Sequence, residues 1–138
     1  MKTTTIFDDI FVEAPPEAIF ETFIDGCKHG DLIGQSVIIE PRIEGNFTAF
    51  NGKVKGTIRQ LIKNKKIVFS WTIKEDEWPK NHYSLATINL EEKRNGTHLQ
   101  LIHDNIPRNY EDRLRTGWQQ NYWKPMKEKL GNNLKYVF

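Results

Sequence analysis

The sequence predicts an α+β domain in which a curved antiparallel β-sheet wraps around a long C-terminal α-helix. Three observations carry this expectation. Between Ser36 and Asp104 the apolar residues come in short alternating runs broken by Gly, Asn and Pro, which reads as a meander of strands. After Ile106-Pro107 the period changes: Tyr110, Leu114, Trp118, Tyr122, Met126 and Leu130 recur every fourth residue, on one slowly drifting helix face. Helical stretches flanking a run of strands imply α+β, and the only large partner for the helix's apolar stripe is the apolar face of the sheet. Packing of this kind often leaves a cleft between helix and sheet.

Taken in order, residues 4–13 read as a strand with Ile6, Ile10 and Val12 in phase and Phe7 and Phe11 on the other face, so burial is expected on both sides. Ala14-Pro15-Pro16 ends it, and proline suits the first turn of a helix, where its missing N–H costs nothing. A helix follows to about Asp25, carrying Ile19, Phe20, Phe23 and Ile24. Gly26, Gly30 and Gly34 leave room only for a short second helix. Val37 to Ile43 is a strand that Pro41 confines to an edge or a bulge. Glu44-Gly45-Asn46 turns, Phe47 to Phe50 is a short strand, and Asn51-Gly52 is a strong hairpin signal because both residues tolerate positive φ. Lys53 to Ile62 runs back to a polar turn at residues 63–66, after which Ile67, Phe69, Trp71 and Ile73 alternate. A loop holds Trp78-Pro79; His82 to Glu92 and Thr97 to Asp104 form the last hairpin around Asn95-Gly96. In the final helix acids come first (Glu111, Asp112) and lysines last (Lys124, Lys127, Lys129), which suits the helix dipole. Pro125 predicts a kink costing ~3 kcal/mol unless local geometry relieves it, and Gly131 stands at the C′ position.

The 138 residues, 38% of them hydrophobic, are enough for one ordinary core, so residues 1–138 are expected to form a single domain. No apolar run approaches the ~20 residues of a membrane span, and Met1-Lys2-Thr3-Thr4-Thr5 lacks a signal-peptide core. The single Cys27 excludes an internal disulfide and a cysteine-built zinc cage. A cytoplasmic protein is expected, with no membrane partner. The sequence pI of 8.6 falls short of the ~9 usual for a nucleic-acid domain, so no nucleic acid is expected either. Charge is nevertheless uneven, with a balance of −5 over residues 1–31 and +5 over 32–69, the latter including Arg59, Lys63, Lys65 and Lys66. Such polarity either solvates exposed faces or steers an oppositely charged partner.

Catalytic motifs are missing. Gly52-Lys53-Val54-Lys55-Gly56-Thr57 has glycines but lies in a strand and lacks the Lys beside the second Gly that cradles phosphate. There is neither a Gly-x-Ser-x-Gly elbow nor a His-Glu-x-x-His pair. His29, His82, His98 and His103 are dispersed, and His98 and His103, five apart, point to opposite faces of one strand and cannot chelate one metal. His103 reads as a hydrogen-bonded structural histidine or as an acid/base group lining a cleft. Cys27 reads as a small buried or half-buried side chain rather than an activated thiol. Glu75-Asp76-Glu77 and Glu91-Glu92 read as solvated loop or turn acids. The expectation is therefore a protein without enzymatic activity, catalytic residues, metal or cofactor. Trp71 and Trp118 are assigned to the core, whereas Trp78 and the off-stripe Trp123 are either partly buried or interface anchors.

An ordered set of short motifs runs through the chain. It comprises Gly45-Asn46-Phe47, Asn51-Gly52-Lys53-Val54-Lys55-Gly56, Ile67-Val68-Phe69-Ser70-Trp71, Trp78-Pro79 and His82-Tyr83-Ser84-Leu85-Ala86-Thr87-Ile88. Gly96-Thr97, Ile106-Pro107, Gly117-Trp118-Gln119-Gln120-Asn121-Tyr122-Trp123, Leu130-Gly131 and a finish at Phe138 complete it. This set resembles the C-terminal domain of the activator of the heat-shock protein 90 ATPase, a co-chaperone of START-like (helix-grip, SRPBCC) fold. The resemblance covers essentially the whole chain and is strongest from Gly45 onward. Glu44-Gly45 departs from the family's usual double glycine, and Asn121 and Trp123 flank a lone Tyr122 where paired aromatics are common.

The resemblance implies heat-shock protein 90 as partner and a stress-response role. In the family's two-domain co-chaperone the N-terminal domain is understood to dock on the chaperone's middle segment and the C-terminal domain to contact the dimerised ATPase domains. Nothing here matches the N-terminal domain, so chaperone binding is expected more than full ATPase stimulation. The partner-binding candidates are Arg59, Lys63, Lys65, Lys66, Trp78, Pro79 and Trp123. The same fold commonly binds hydrophobic ligands, so the alternative reading is a carrier or sensor of a hydrophobic small molecule or lipid, in a cleft lined by Phe69, Trp71, Leu101, His103, Trp118 and Tyr122. A cyclase-like enzymatic reading has no catalytic pair in its favour. A monomer is expected.

Overall fold

The computed structural model describes residues 1–131; Phe138 and its neighbours lie outside the described residues. Thr3–Val12 forms the first strand, β1, with Ile6 and Val12 fully buried. Phe7 (63% exposed) and Phe11 (44%) face solvent, so β1 is buried on one side and not on both as expected. Among the described residues no element covers the sheet's outer face at these positions, which leaves the second phase of β1 in water.

Pro16–Ile24 is α1, with Pro16 in its first turn and Ile19, Phe20 and Phe23 turned into the core. Its end is the start of α2, Gly26–Ile33: the Asp25 carboxylate accepts the Lys28 N–H at 2.9 Å as an N-cap. The second helix stops at Gly34, whose φ of 72° is the left-handed conformation glycine adopts without penalty.

Six further strands follow: β2 Ile38–Ile39, β3 Asn46–Ala49, β4 Val54–Ile62, β5 Lys66–Ile73, β6 Ser84–Lys93 and β7 Gly96–Pro107. They form one antiparallel sheet in the order β1-β7-β6-β5-β4-β3-β2. Consecutive strands are joined as the meander predicts, while β1 pairs with the last strand, from Thr3↔Pro107 to Val12↔Thr97. Pro41 keeps β2 to two residues at the edge, shorter than the Val37–Ile43 expected. Asparagine carries the tight turns: Asn51, Asn64 and Asn95 all have positive φ, with Gly52 beside the first.

Strand β4 approaches β5 unusually closely at Gly56. A Cβ there would lie inside the van der Waals shell of the Ser70 carbonyl, while the Ser70 hydroxyl accepts the Thr57 N–H at 2.9 Å. Gly56→Ala is therefore expected to destabilise the fold by at least about 2 kcal/mol, as forced backbone separation does in packed interiors; urea unfolding of the variant checks it.

The final helix is not uniform. A 3₁₀ turn at Arg108–Tyr110 leads into α3, Glu111–Gly117; a π-helical turn spans Trp118–Trp123; and α4 covers Lys124–Lys129. The Lys124 N–H reaches back five residues to the Gln119 carbonyl, the i→i+5 bond of a π turn. Two expectations are corrected by this turn. Pro125 falls in the first turn of α4, where a missing N–H is harmless, so it carries little of the cost of an interior proline. Residues five apart also come to share a face, which swings Trp123 (3% exposed) inward beside Trp118 (3%). Gly131 is buried and stays outside the left-handed region, so it does not act as a left-handed C′ cap.

Candidate functional site

The inner face of the sheet and the final helix meet in a continuous aromatic cluster. Trp71 on β5 stacks on Trp118 with ring centroids 5.4 Å apart and planes at 11°. Trp118 stacks in turn on Trp123 at 5.3 Å and leans on Tyr122 at 4.5 Å. Tyr122 stacks on Phe23 of α1 at 5.8 Å. Stacks of this kind add about 0.5–1.5 kcal/mol each beyond area burial.

Each aromatic of the π turn is also tied to a different element by one hydrogen bond. Trp118 Nε1–H donates to His103 Nδ1 on β7 at 2.9 Å. An indole can only donate, so the His103 proton sits on Nε2, which donates to the Ser84 hydroxyl at 2.8 Å. Tyr122 O–H donates to His29 Nε2 on α2 at 2.8 Å, because His29 Nδ1–H is committed to the Phe23 carbonyl at 3.0 Å. Trp123 Nε1–H donates to Asp8 on β1 at 2.8 Å. Burial pushes the imidazoles down, His29 to about 4 and His103 to about 3, and pushes the Tyr122 hydroxyl up. His103 is thus a structural histidine held neutral, with both ring nitrogens used.

This arrangement changes the expected cleft. Phe69, Leu101 and His103 are buried in the packed centre and line no opening, while Trp71, Trp118 and Tyr122 form one wall of a groove beside it. The groove measures about 410 Å³ and lies between the β4–β5 end of the sheet and the flank of α3 and the π turn. Val54, Ile73 and Leu114 extend its apolar floor, and Gln35, Lys53, Arg113, Gln120 and Asn121 stand around it.

Glu75, expected as a solvated loop acid, organises one rim of the groove. Arg113 grips it with both terminal nitrogens at 2.6 and 2.5 Å, Lys53 reaches it at 2.8 Å and the Tyr110 hydroxyl donates to it at 2.8 Å. The Arg113 bonds, joined by Lys53 and Tyr110, hold the Glu75 carboxyl far below the usual range. Tyr110 is pushed up to about 12 by burial and by that carboxylate. Lys53, Arg113 and Gln35 were not legible as site residues: they lie far apart in the chain and share no motif, and only the folded topology collects them.

The basic candidates lie elsewhere. Lys63 and Lys65 are exposed on the β4–β5 turn and Lys66 is half-buried beside them; none forms an ion pair among the described residues. Arg59 is exposed and faces Glu44 at 4.0 Å. Trp78 (3% exposed) is no surface anchor: its Nε1–H donates to the His82 carbonyl at 2.9 Å and its ring meets Tyr110 edge-on, pinning the loop. Trp123 is buried for the reason given above, and Pro79 is half-buried. Cys27 is exposed, contrary to the half-buried position expected, because α2 turns its 27–28 edge to solvent. No helix of the described residues is long and apolar enough to cross a membrane.

A seven-stranded antiparallel sheet closed on one face by a long C-terminal helix defines the helix-grip, START-like class of α+β domain. The sequence model described as "Activator of Hsp90 ATPase homolog 1-like protein" matches residues 13–131, and the chain belongs to that family. The human activator of 90 kDa heat shock protein ATPase homolog 1 is 33% identical over 116 residues, which is 84% of this chain and 34% of the human protein. The Hsp90 co-chaperone AHA1 of Saccharomyces cerevisiae is 28% identical over 134 residues, 94% of this chain and 38% of the yeast protein. The chain thus spans little more than a third of the length of these curated relatives. Among solved structures, an HSP90 activator from Plasmodium falciparum superposes with a TM-score of 0.81 at 28% identity, covering 95% of this chain and 97% of that one.

Proposed function

We propose that this chain is a cytoplasmic co-chaperone module that binds heat-shock protein 90 without catalysing a reaction of its own, and that binding modulates the chaperone's ATPase. The observation that carries this reading is the family match across residues 13–131. The exposed cationic tip of the β4–β5 hairpin supports it, since cations without ion-pair partners at a hairpin end present a field that steers an acidic surface.

Binding and stimulation are separate claims, because the chain covers only part of its relatives' length. Calorimetric titration with the heat-shock protein 90 of the same organism, with and without nucleotide, tests the first; a coupled ATPase assay tests the second. Saturable binding is expected at low salt. The triple variant Lys63→Glu, Lys65→Glu, Lys66→Glu is expected to bind about tenfold more weakly or worse, with most of the difference gone at ~1 M salt, where the Debye length shrinks to about 3 Å. No binding under any of these conditions overturns the reading, and unchanged affinity of the triple variant removes the hairpin tip from the contact.

A further inference from the structure

We propose that the groove beside the helix binds a small amphipathic organic acid, with a flat or branched apolar body on the Trp71–Trp118 floor and a carboxylate or sulfonate at the Lys53–Arg113 rim. The inference rests on the groove's own residues and is independent of the chaperone reading.

Size comes first. About 410 Å³ lies within the range of small-molecule sites, which pair an apolar lining with a few placed polar groups. The floor is preformed. Trp118 is held by His103 and by stacking on both Trp71 and Trp123, so no side chain has to move to make the apolar surface. A ligand that meets a rigid wall loses less to ordering than one that must build it.

Charge then selects the class. Lys53 and Arg113 share one carboxylate, that of Glu75, so the cluster keeps one net positive charge at the rim. Tyr110, its hydroxyl pushed up to about 12, stays neutral there. The Lys53 side chain is half exposed, and Glu75 occupies one of its three N–H donors, leaving two to point at a ligand anion. Glu75 also fixes both cations in place, so the anion site is positioned before anything binds. Around the opening, the side chains of Gln35, Thr116, Gln120 and Asn121 have no hydrogen-bond partner among the described residues and are available to a ligand's polar atoms. A cationic or purely apolar ligand would use the floor and leave this rim unanswered.

The test compares 2-naphthoate with its neutral analogue 2-naphthamide, titrated into the chain and followed by amide chemical shifts and tryptophan fluorescence. Saturable binding of naphthoate is expected, with shifts centred on Ile73, Gly117 and Trp118 and an affinity about tenfold above that of naphthamide, the increment of one charge-assisted hydrogen bond. Lys53→Met should abolish the preference for the acid while leaving naphthamide binding in place. Gln120→Glu, at an exposed position that disturbs neither Lys53 nor Glu75, should weaken naphthoate severalfold and naphthamide hardly at all. The proposal is overturned if neither compound saturates, if the shifts fall outside the groove, if acid and amide bind alike, or if both variants keep the preference.

Discussion

Trp118→Ala is expected to lower the free energy of unfolding by about 4 kcal/mol, within the ~3–5 kcal/mol typical of deleting a large buried aromatic. Trp118 is 3% exposed and sits where Trp71, Trp123 and Tyr122 converge. Removing it leaves a cavity that these rings cannot fill without abandoning their own hydrogen bonds. It also strips His103 Nδ1 of its donor inside a dry core, and an unsatisfied buried acceptor adds about 1–3 kcal/mol. Trp118→Phe separates the contributions: the ring contact is largely kept and the hydrogen bond is lost, so a loss of about 1–3 kcal/mol is expected. Urea unfolding with an unchanged slope would report both. A Trp118→Ala loss under about 1.5 kcal/mol would show that the aromatic cluster is not the centre of stability.

The second large effect is loss of stability in acid. His29 and His103 are held neutral by burial, at about 4 and about 3 against an ordinary 6.5. Above pH 6.5 they are neutral whether the chain is folded or not, and they contribute nothing to the pH dependence. Below pH 6.5 the unfolded chain takes up two protons that the folded chain refuses. Stability then falls by about 1.4 kcal/mol per pH unit for each histidine, until the folded values are reached near pH 4 for His29 and near pH 3 for His103. The nearby Asp104 opposes the His103 shift without cancelling it. Glu75 adds to the decline only lower down: its depressed carboxyl stabilises the fold above the unfolded value near 4.5 and loses that contribution as pH falls further. Urea midpoints measured from pH 7.5 to 4.5 should drop steadily below 6.5, while the ring signals of His29 and His103 stay fixed over the same range. Ring signals that titrate with midpoints near 6.5 would contradict the burial argument.

Much of this architecture can be read from residue patterns because the strands obey period two and the helix stripe obeys a four-residue repeat. Asn51-Gly52 and Asn95-Gly96 fix two hairpins by backbone conformation alone, and the alternation of Ile67, Phe69, Trp71 and Ile73 marks the face that meets the helix. The failures have physical causes of their own. Trp123 appeared off the stripe because a regular α-helix was assumed, and a single π turn rotates it inward. Trp78 looked like a loop residue free to meet a partner, but Tyr110, 32 positions later, supplies its wall. Glu75 looked solvated because its three partners, Lys53, Tyr110 and Arg113, are distant in sequence. His29 carried no signal at all, since its partner Tyr122 is 93 residues away. Local propensity covers contacts along one element; these four residues are defined by contacts between elements.

The pairing of the first strand with the last has a consequence for biosynthesis. Val12 finds its partner only at Thr97 and Thr3 only at Pro107, and the inner face of the sheet stays uncovered until Trp118 and Met126 arrive. A ribosome delivering this chain from its N-terminus therefore emits nearly all of the apolar strands before any of them can be sealed. Folding of such a topology waits on long loop closures and is slow for its size. Vectorial synthesis gives this domain no head start: its structure forms close to the moment of release, and until then β3 to β6 are exposed to whatever holds nascent chains apart.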